Sequence, residues 1–215
     1  TALNAGQIGA FRSAEFIAAR YAQDTLPQED AERVAEKVLQ RLKAAWSRSA
    51  SLNWKEERRK FQLRMSEAGA FVREEGRLRK ALAETRDHLK RLKEDGLGGK
   101  RTEDAAEALR NQQLLTAQIV YLEAILKQLS DGVGSRGGAI VLSADGQKIH
   151  PLLSDEWKCV PENDTFRGKT LECALREDES VDFSWEECRS IPQTDGWFET
   201  VWSDYRSKRI YGAEV

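Results

Sequence analysis

The stretch from Thr102 to Ser130 most narrows what this chain can become. Leu109, Leu114, Leu115, Ile119, Leu122, Ile125, Leu126 and Leu129 recur at helical spacing, which gathers them on one side of a long helix. Thr102 stands where an N-cap is expected. A helix with so wide an apolar stripe gains its stability from being covered, so other helices must pack on it.

Those partners are present upstream. Val34, Val38, Leu39, Leu42 and Trp46 predict a helix from about Gln28 to Ser47, opened by Pro27. Its acids Glu29 and Asp30 come first, and Arg41, Lys43 and Arg48 come last, as the helix dipole prefers. Trp54, Phe61, Met65 and Ala68 predict a third helix from about Asn53 to Ala68, interrupted by Gly69. Leu78, Leu82, Thr85, Leu89 and Leu92 predict a fourth from about Glu74 to Glu94. Thr25-Leu26-Pro27 and Ser47 to Ser51 read as breaks. Asp95 to Lys100 reads as a loop with glycine available for a left-handed cap. Connections this short imply an antiparallel bundle. Charge runs such as Glu56-Glu57-Arg58-Arg59-Lys60 are expected on solvated faces.

At Asp131 to Gly138 the pattern changes. Ala139-Ile140-Val141-Leu142 predicts a strand, and Ala144-Asp145-Gly146-Gln147 a turn into a second. Beyond it, short apolar pieces alternate with Pro, Gly, Asn and Asp. Four of the six tryptophans fall here, Trp157, Trp185, Trp197 and Trp202, and are expected to pack a small β-rich appendage. The predicted fold class is therefore mainly α, an antiparallel helical bundle followed by a β-rich tail.

The first 22 residues form the remaining helix. Gly6 and Gly9 precede a run of helix formers, with Phe11, Ala14, Ile17, Ala18 and Tyr21 on one face. A glycine turn feeding a helix start can offer backbone N–H groups and the positive end of the dipole to an electron-rich ligand. The simpler reading is an amphipathic helix with a glycine lead-in.

Charge and composition exclude several functions. With 34 basic and 36 acidic residues closely interleaved, there is no basic excess for a nucleic-acid surface. No apolar run is long enough to cross a bilayer and no signal peptide is seen, so a cytoplasmic protein is expected. A start on Thr1 rather than Met suggests a piece of a longer protein. Cys159, Cys173 and Cys188 are odd in number and widely spaced, without a CxxC pair. They are expected to be buried reduced thiols rather than metal ligands, even with His150 as a candidate fourth group. His88 sits among charged residues and is expected at the surface; His150 precedes a proline in a loop. No Ser/His/Asp set, P-loop or HExxH occurs, so no catalytic residue and no metal site is assigned.

Three stretches resemble the C-terminal part of the succinate dehydrogenase/fumarate reductase flavoproteins, a family that includes L-aspartate oxidase and adenylylsulfate reductase. Phe16-Ile17-Ala18-Ala19-Arg20-Tyr21-Ala22 is similar to the "VFGRAA" that ends the family's FAD-binding domain. Arg64 to Arg73, followed by Leu78 and Ala81-Leu82, is similar to the "M…GvfR…L..AL" of its helical domain. Leu114-Leu115 through Ser135-Arg136-Gly137 resembles the long helix leading into its "SRG". Together they span about the first two-thirds of the chain, in the family's order.

The resemblance implies the C-terminal helical region of an FAD-dependent oxidoreductase, inactive by itself. Residues 1–26 would be the terminal helix of an FAD-binding domain, 27–131 a helical bundle domain and 132–215 the β-rich tail. FAD would be bound in the full-length protein, with Gly9, Ala10, Phe11, Arg12 and Ser13 beside the flavin and Arg20 in a structural role. The implied partners are the upstream FAD-binding domain of the same protein and an electron-transfer subunit. Gly6 falls where the family carries its dicarboxylate-gripping arginine, Ala10-Phe11 replace its Asn-Ser, and Gly138-Ala139-Ile140 replace the histidine after "SRG". The resemblance thus implies a flavin without implying succinate or fumarate. The alternative from a different class is a non-enzymatic helical module that binds another protein.

Overall fold

The helices form largely where the periodicity places them, and local caps set several of their ends. A computed structural model describes residues 2–21, 25, 27–47, 53–96, 101–190 and 195–209. The fold is mainly α with a small β part, and its described residues divide into two compact units. One draws on residues 1–38 and 189–215, the other on 39–188. The expected breaks at Leu26 and at 48–51, and the loop at 97–100, lie outside the described residues.

The larger unit is built on three helices, α3 (Trp54–Ala68), α4 (Glu75–Asp95) and α5 (Ala105–Ser130). Asn53 caps α3 by accepting from the Lys55 amide, and the Gly69 amide closes it on the Met65 carbonyl at 2.9 Å. Gly96 ends α4 at φ 103°, the expected glycine cap. Thr102 instead opens a 3-10 turn, Thr102–Asp104, and α5 begins after it.

Facing residues give the helix directions. Glu57 of α3 meets His88 of α4, while Arg64 further along α3 meets Thr85. Along α5, Glu107 faces Arg58 and Gln118 faces Phe61. So α3 and α5 run together and α4 runs against both. The core falls into two apolar clusters. Ala68, Leu78, Ala81, Leu122, Ile125 and Leu126 form one; Phe61, Leu89, Leu92, Leu115 and Ile119 form the other.

Polar side chains tie the seams. Gln118 Nε2 donates to the Phe61 carbonyl at 2.9 Å, and its Oε1 lies 3.0 Å from the buried Thr85 hydroxyl. Nearer the start of α3, the fully buried Asn111 donates to the Trp54 carbonyl and accepts from Arg58 Nε, both at 2.8 Å. Arg58 also donates to Glu107 and lies over the Trp54 ring at 4.7 Å. The expectation that Glu56 to Lys60 forms a solvated face therefore fails in part. Glu57 is only 5% exposed, because position 57 shares the inner face with Phe61.

The β part is small. β1 (Val72–Arg73) pairs parallel with β2 (Ile140–Lys148), which pairs antiparallel with β3 (Lys158–Cys159). The predicted turn at Ala144 to Gln147 stays within β2 as an irregularity, since both Leu142 and Gln147 face Cys159. Gly146 permits this: a Cβ there would stand 2.4 Å from the Cys159 carbonyl oxygen. β4 (Lys169–Leu175) and β5 (Val181–Glu187) form a hairpin against α5, where Trp185 Nε1 donates to Asp131 at 2.7 Å.

The smaller unit holds α1 (Ala2–Arg20) and α6 (Trp197–Arg206), with the Tyr205 hydroxyl donating to Glu15 at 3.2 Å. α2 spans Gln28–Ser47, as predicted, across the division between the units, but its expected packing face is open: Val34, Val38 and Leu39 are about half exposed. The tail was expected to be packed by its tryptophans, yet Trp197 and Trp202 are about half exposed on α6. The spacing of Trp197, Val201, Trp202 and Tyr205 is helical, with Gly196 in the left-handed region before it. Cys159 and Cys173 are half-buried and Cys188 is exposed, so the thiols are less enclosed than expected; burial nonetheless pushes the Cys173 thiol up.

Candidate functional site

The five residues expected beside a flavin, Gly9, Ala10, Phe11, Arg12 and Ser13, lie together in the middle of α1, all exposed. The glycine turn expected before them is helix instead. An isolated glycine costs a helix only about 1 kcal/mol, and Ala2, Leu3, Ala5, Gln7 and Ala10 are strong helix formers around the two. The amides of residues 9–13 therefore fall inside the helix rather than at its start. The amides of residues 9–13 are engaged in the helix ladder and do not fit the role of a donor cradle.

What α1 does present is side-chain surface. Phe11 is 73% exposed, and Leu3, Ile8 and Ile17 are also mostly exposed. Gly6 and Gly9 have nothing within 4 Å of where a Cβ would stand, leaving a smooth stretch of helix beside Arg12 and Ser13.

Two of the family-like stretches meet in the larger unit. The Ile140 amide donates to the Phe71 carbonyl at 2.7 Å, so the end of Arg64–Arg73 joins the strand that follows Ser135-Arg136-Gly137. Ser135 is fixed twice over: its hydroxyl donates to the Val160 carbonyl at 2.6 Å and accepts from the Val141 amide at 2.9 Å. Arg136 donates to the Phe166 and Arg167 carbonyls. These residues are structural fasteners.

Beside this junction opens a cavity of about 480 Å³, lined by Val72, Glu74, Arg77, Leu142 to Ala144 and Asp155 to Trp157. Glu74 pairs with Arg77 at 2.9 Å. Lys148, 2.8 Å from Asp155, holds that carboxyl below the usual carboxylate range, with Lys158 assisting. The lining includes neither of the chain's histidines and none of its cysteines, so it offers paired charges and an indole wall rather than an activated nucleophile. Among the described residues no group of three His, Cys, Asp or Glu could hold a metal ion.

The largest departure from expectation is His88. It is fully buried, not at the surface, and its Nε2 lies 2.6 Å from Glu57 Oε2. Position 88 continues the inner face carrying Ala81 and Thr85, and that spacing was the available signal. Burial pushes the imidazole below its ordinary value, against the pull of Glu57. Burial also pushes Glu57 up, but Lys60 and His88 together outweigh it and the carboxyl lies low.

No protein-family model matches the chain, and none of the curated proteins does. Solved structures do match by fold. The FrdA chain of a mutant E. coli quinol fumarate reductase is 17% identical at a TM-score of 0.57, over 90% of this chain and 29% of that one. A quinol-fumarate reductase with menaquinol molecules is 14% identical at a TM-score of 0.59, over 80% of this chain and 27% of that one. The chain has a fumarate reductase-like fold. It spans less than a third of either fumarate reductase chain it matches. Among the described residues no helix is long and apolar enough to cross a membrane.

Proposed function

We propose that this chain is the C-terminal helical region of an FAD-dependent oxidoreductase of the succinate dehydrogenase/fumarate reductase flavoprotein type. Residues 1–26 would end an FAD-binding domain, 27–131 would form the helical domain and 132–215 the tail. The observation that carries the reading is the fumarate reductase-like fold, joined to a first helix whose apolar side chains are uncovered. Burying Phe11 and Ile17 would each contribute about 1.5–3 kcal/mol. An FAD-binding domain of the same protein is the partner this surface suits.

FAD, when bound, would supply the electron-transfer chemistry. Toward it, this chain offers the Arg12 guanidinium to offset negative charge, the Ser13 hydroxyl as a donor, and the open surface at Gly6 and Gly9 for close approach. With the amides of residues 9–13 engaged, side chains carry the assignment. Gly6 in place of an anion-gripping arginine favours a substrate other than succinate or fumarate. The isolated chain should neither retain FAD nor turn over, and an electron-transfer subunit completes the proposed assembly.

The test uses the full-length protein with Arg12→Ala and, separately, Phe11→Asp. Each should lower the flavin retained through gel filtration, with the circular dichroism spectrum unchanged. Full flavin content in both variants would overturn the placement of Gly9 to Ser13.

A further inference from the structure

The His88–Glu57 contact bridges α3 and α4 inside the larger unit, and nothing in the proposed function uses it. His88 is fully buried and Glu57 nearly so. Nε2 stands 2.6 Å from Glu57 Oε2, a polar contact that is not aligned as a regular hydrogen bond and becomes ionic only when the ring is protonated. Glu57 Oε1 accepts from Lys60 Nζ at 2.6 Å, so the carboxylate is already matched by one cation. The Phe61 ring packs 6.0 Å from the imidazole. Most telling is Nδ1: it is buried and has no hydrogen-bond partner.

A second proton would have to sit on that nitrogen. It would create a buried N–H without an acceptor and a second cation on a carboxylate that Lys60 already matches. The charged groups acting on the ring are Glu57 and Arg64 from α3 and Arg91 from α4 itself; among the described residues α5 adds none. Burial of the ring opposes protonation most; Glu57 favours it, and the two arginines oppose it more weakly.

We infer that buried His88 is an acid-operated latch on the α3–α4 seam, closed while the ring is neutral and, despite the opposing pull of Glu57, loosened when a second proton is forced onto its unpartnered Nδ1. The sign follows from linkage. The folded imidazole is harder to protonate than the unfolded one, whose ordinary pKa is about 6.5. Stability is thus fully present above about pH 6.5 and falls below it, by up to about tenfold in the folding equilibrium constant per pH unit. The loss continues until the folded state also takes up the proton.

The chain has two histidines, so His150→Gln leaves His88 as the sole imidazole signal in a proton NMR titration. We expect its midpoint below 6.5; a midpoint at or above 6.5 overturns the latch. Urea unfolding between pH 7.5 and 5.5 gives the second readout. The otherwise wild-type chain should lose stability more steeply on acidification than His88→Gln, and equal slopes would also overturn the proposal. Should His88→Gln fail to fold, the titration of the His150→Gln chain decides alone.

Discussion

Asn111→Ala should be among the most damaging single changes in the helical unit that removes no apolar side chain. Asn111 is fully buried and makes two 2.8 Å hydrogen bonds, to the Trp54 carbonyl and from Arg58 Nε. A bond between neutral partners contributes about 0.5–1.5 kcal/mol net and one to a charged group about 1.5–3. The Arg58 term belongs at the low end, because that side chain is partly exposed and keeps Glu107 as a partner. The sum is about 2–4 kcal/mol, including the carbonyl left without its donor. Urea unfolding should show the loss as a lower midpoint with unchanged slope. Asn111→Leu restores volume but not the bonds, so it should remain destabilised by about 2 kcal/mol. A double-mutant cycle with Arg58→Ala should give a coupling of about 0.5–3 kcal/mol. Wild-type stability in Asn111→Leu, or zero coupling, would refute the reasoning that this polar tie holds α3 to α5.

Other outcomes follow from the same structure. Gly134 and Gly132 share φ +74°, but only at Gly134 would a Cβ stand 1.9 Å from the Pro161 carbonyl oxygen. Gly132→Ala should cost about 1 kcal/mol, from the left-handed backbone alone. Gly134→Ala should cost at least about 2 kcal/mol more, since the backbone must also move; equal losses by thermal unfolding would contradict the close approach. Leu122 is fully buried in the first apolar cluster, so Leu122→Ala should lower stability by about 3–4 kcal/mol in urea titration. A loss below 1 kcal/mol would mean the cluster collapses around the gap.

The legible parts were those set by periodicity. The Leu78-to-Leu92 series of α4 and most of the leucine series of α5 named their inner faces correctly, because apolar spacing and burial are the same physical fact there; Leu114, 40% exposed, is the exception. Misreadings arose where a polar residue shares that face. His88 and Glu57 look like members of charged runs, and only their spacing from Thr85 and Phe61 shows that they point inward. The glycines of α1 misled differently: local propensity for a turn lost to the helix formers around them. In the tail, the helical spacing of Trp197, Val201 and Trp202 is short and lies among Pro and Gly breakers, which obscures it. The resemblance in three short stretches led to the fumarate reductase-like fold. The placement of Gly9 to Ser13 rests on that resemblance together with exposed side chains on α1.

The central claim is that this chain belongs to a flavoprotein oxidoreductase, and the visible absorption spectrum of the full-length protein tests it most directly. The account predicts a flavin spectrum that survives gel filtration of the full-length protein and is absent from residues 1–215 alone. A folded, colourless full-length protein that takes up no added FAD would contradict it.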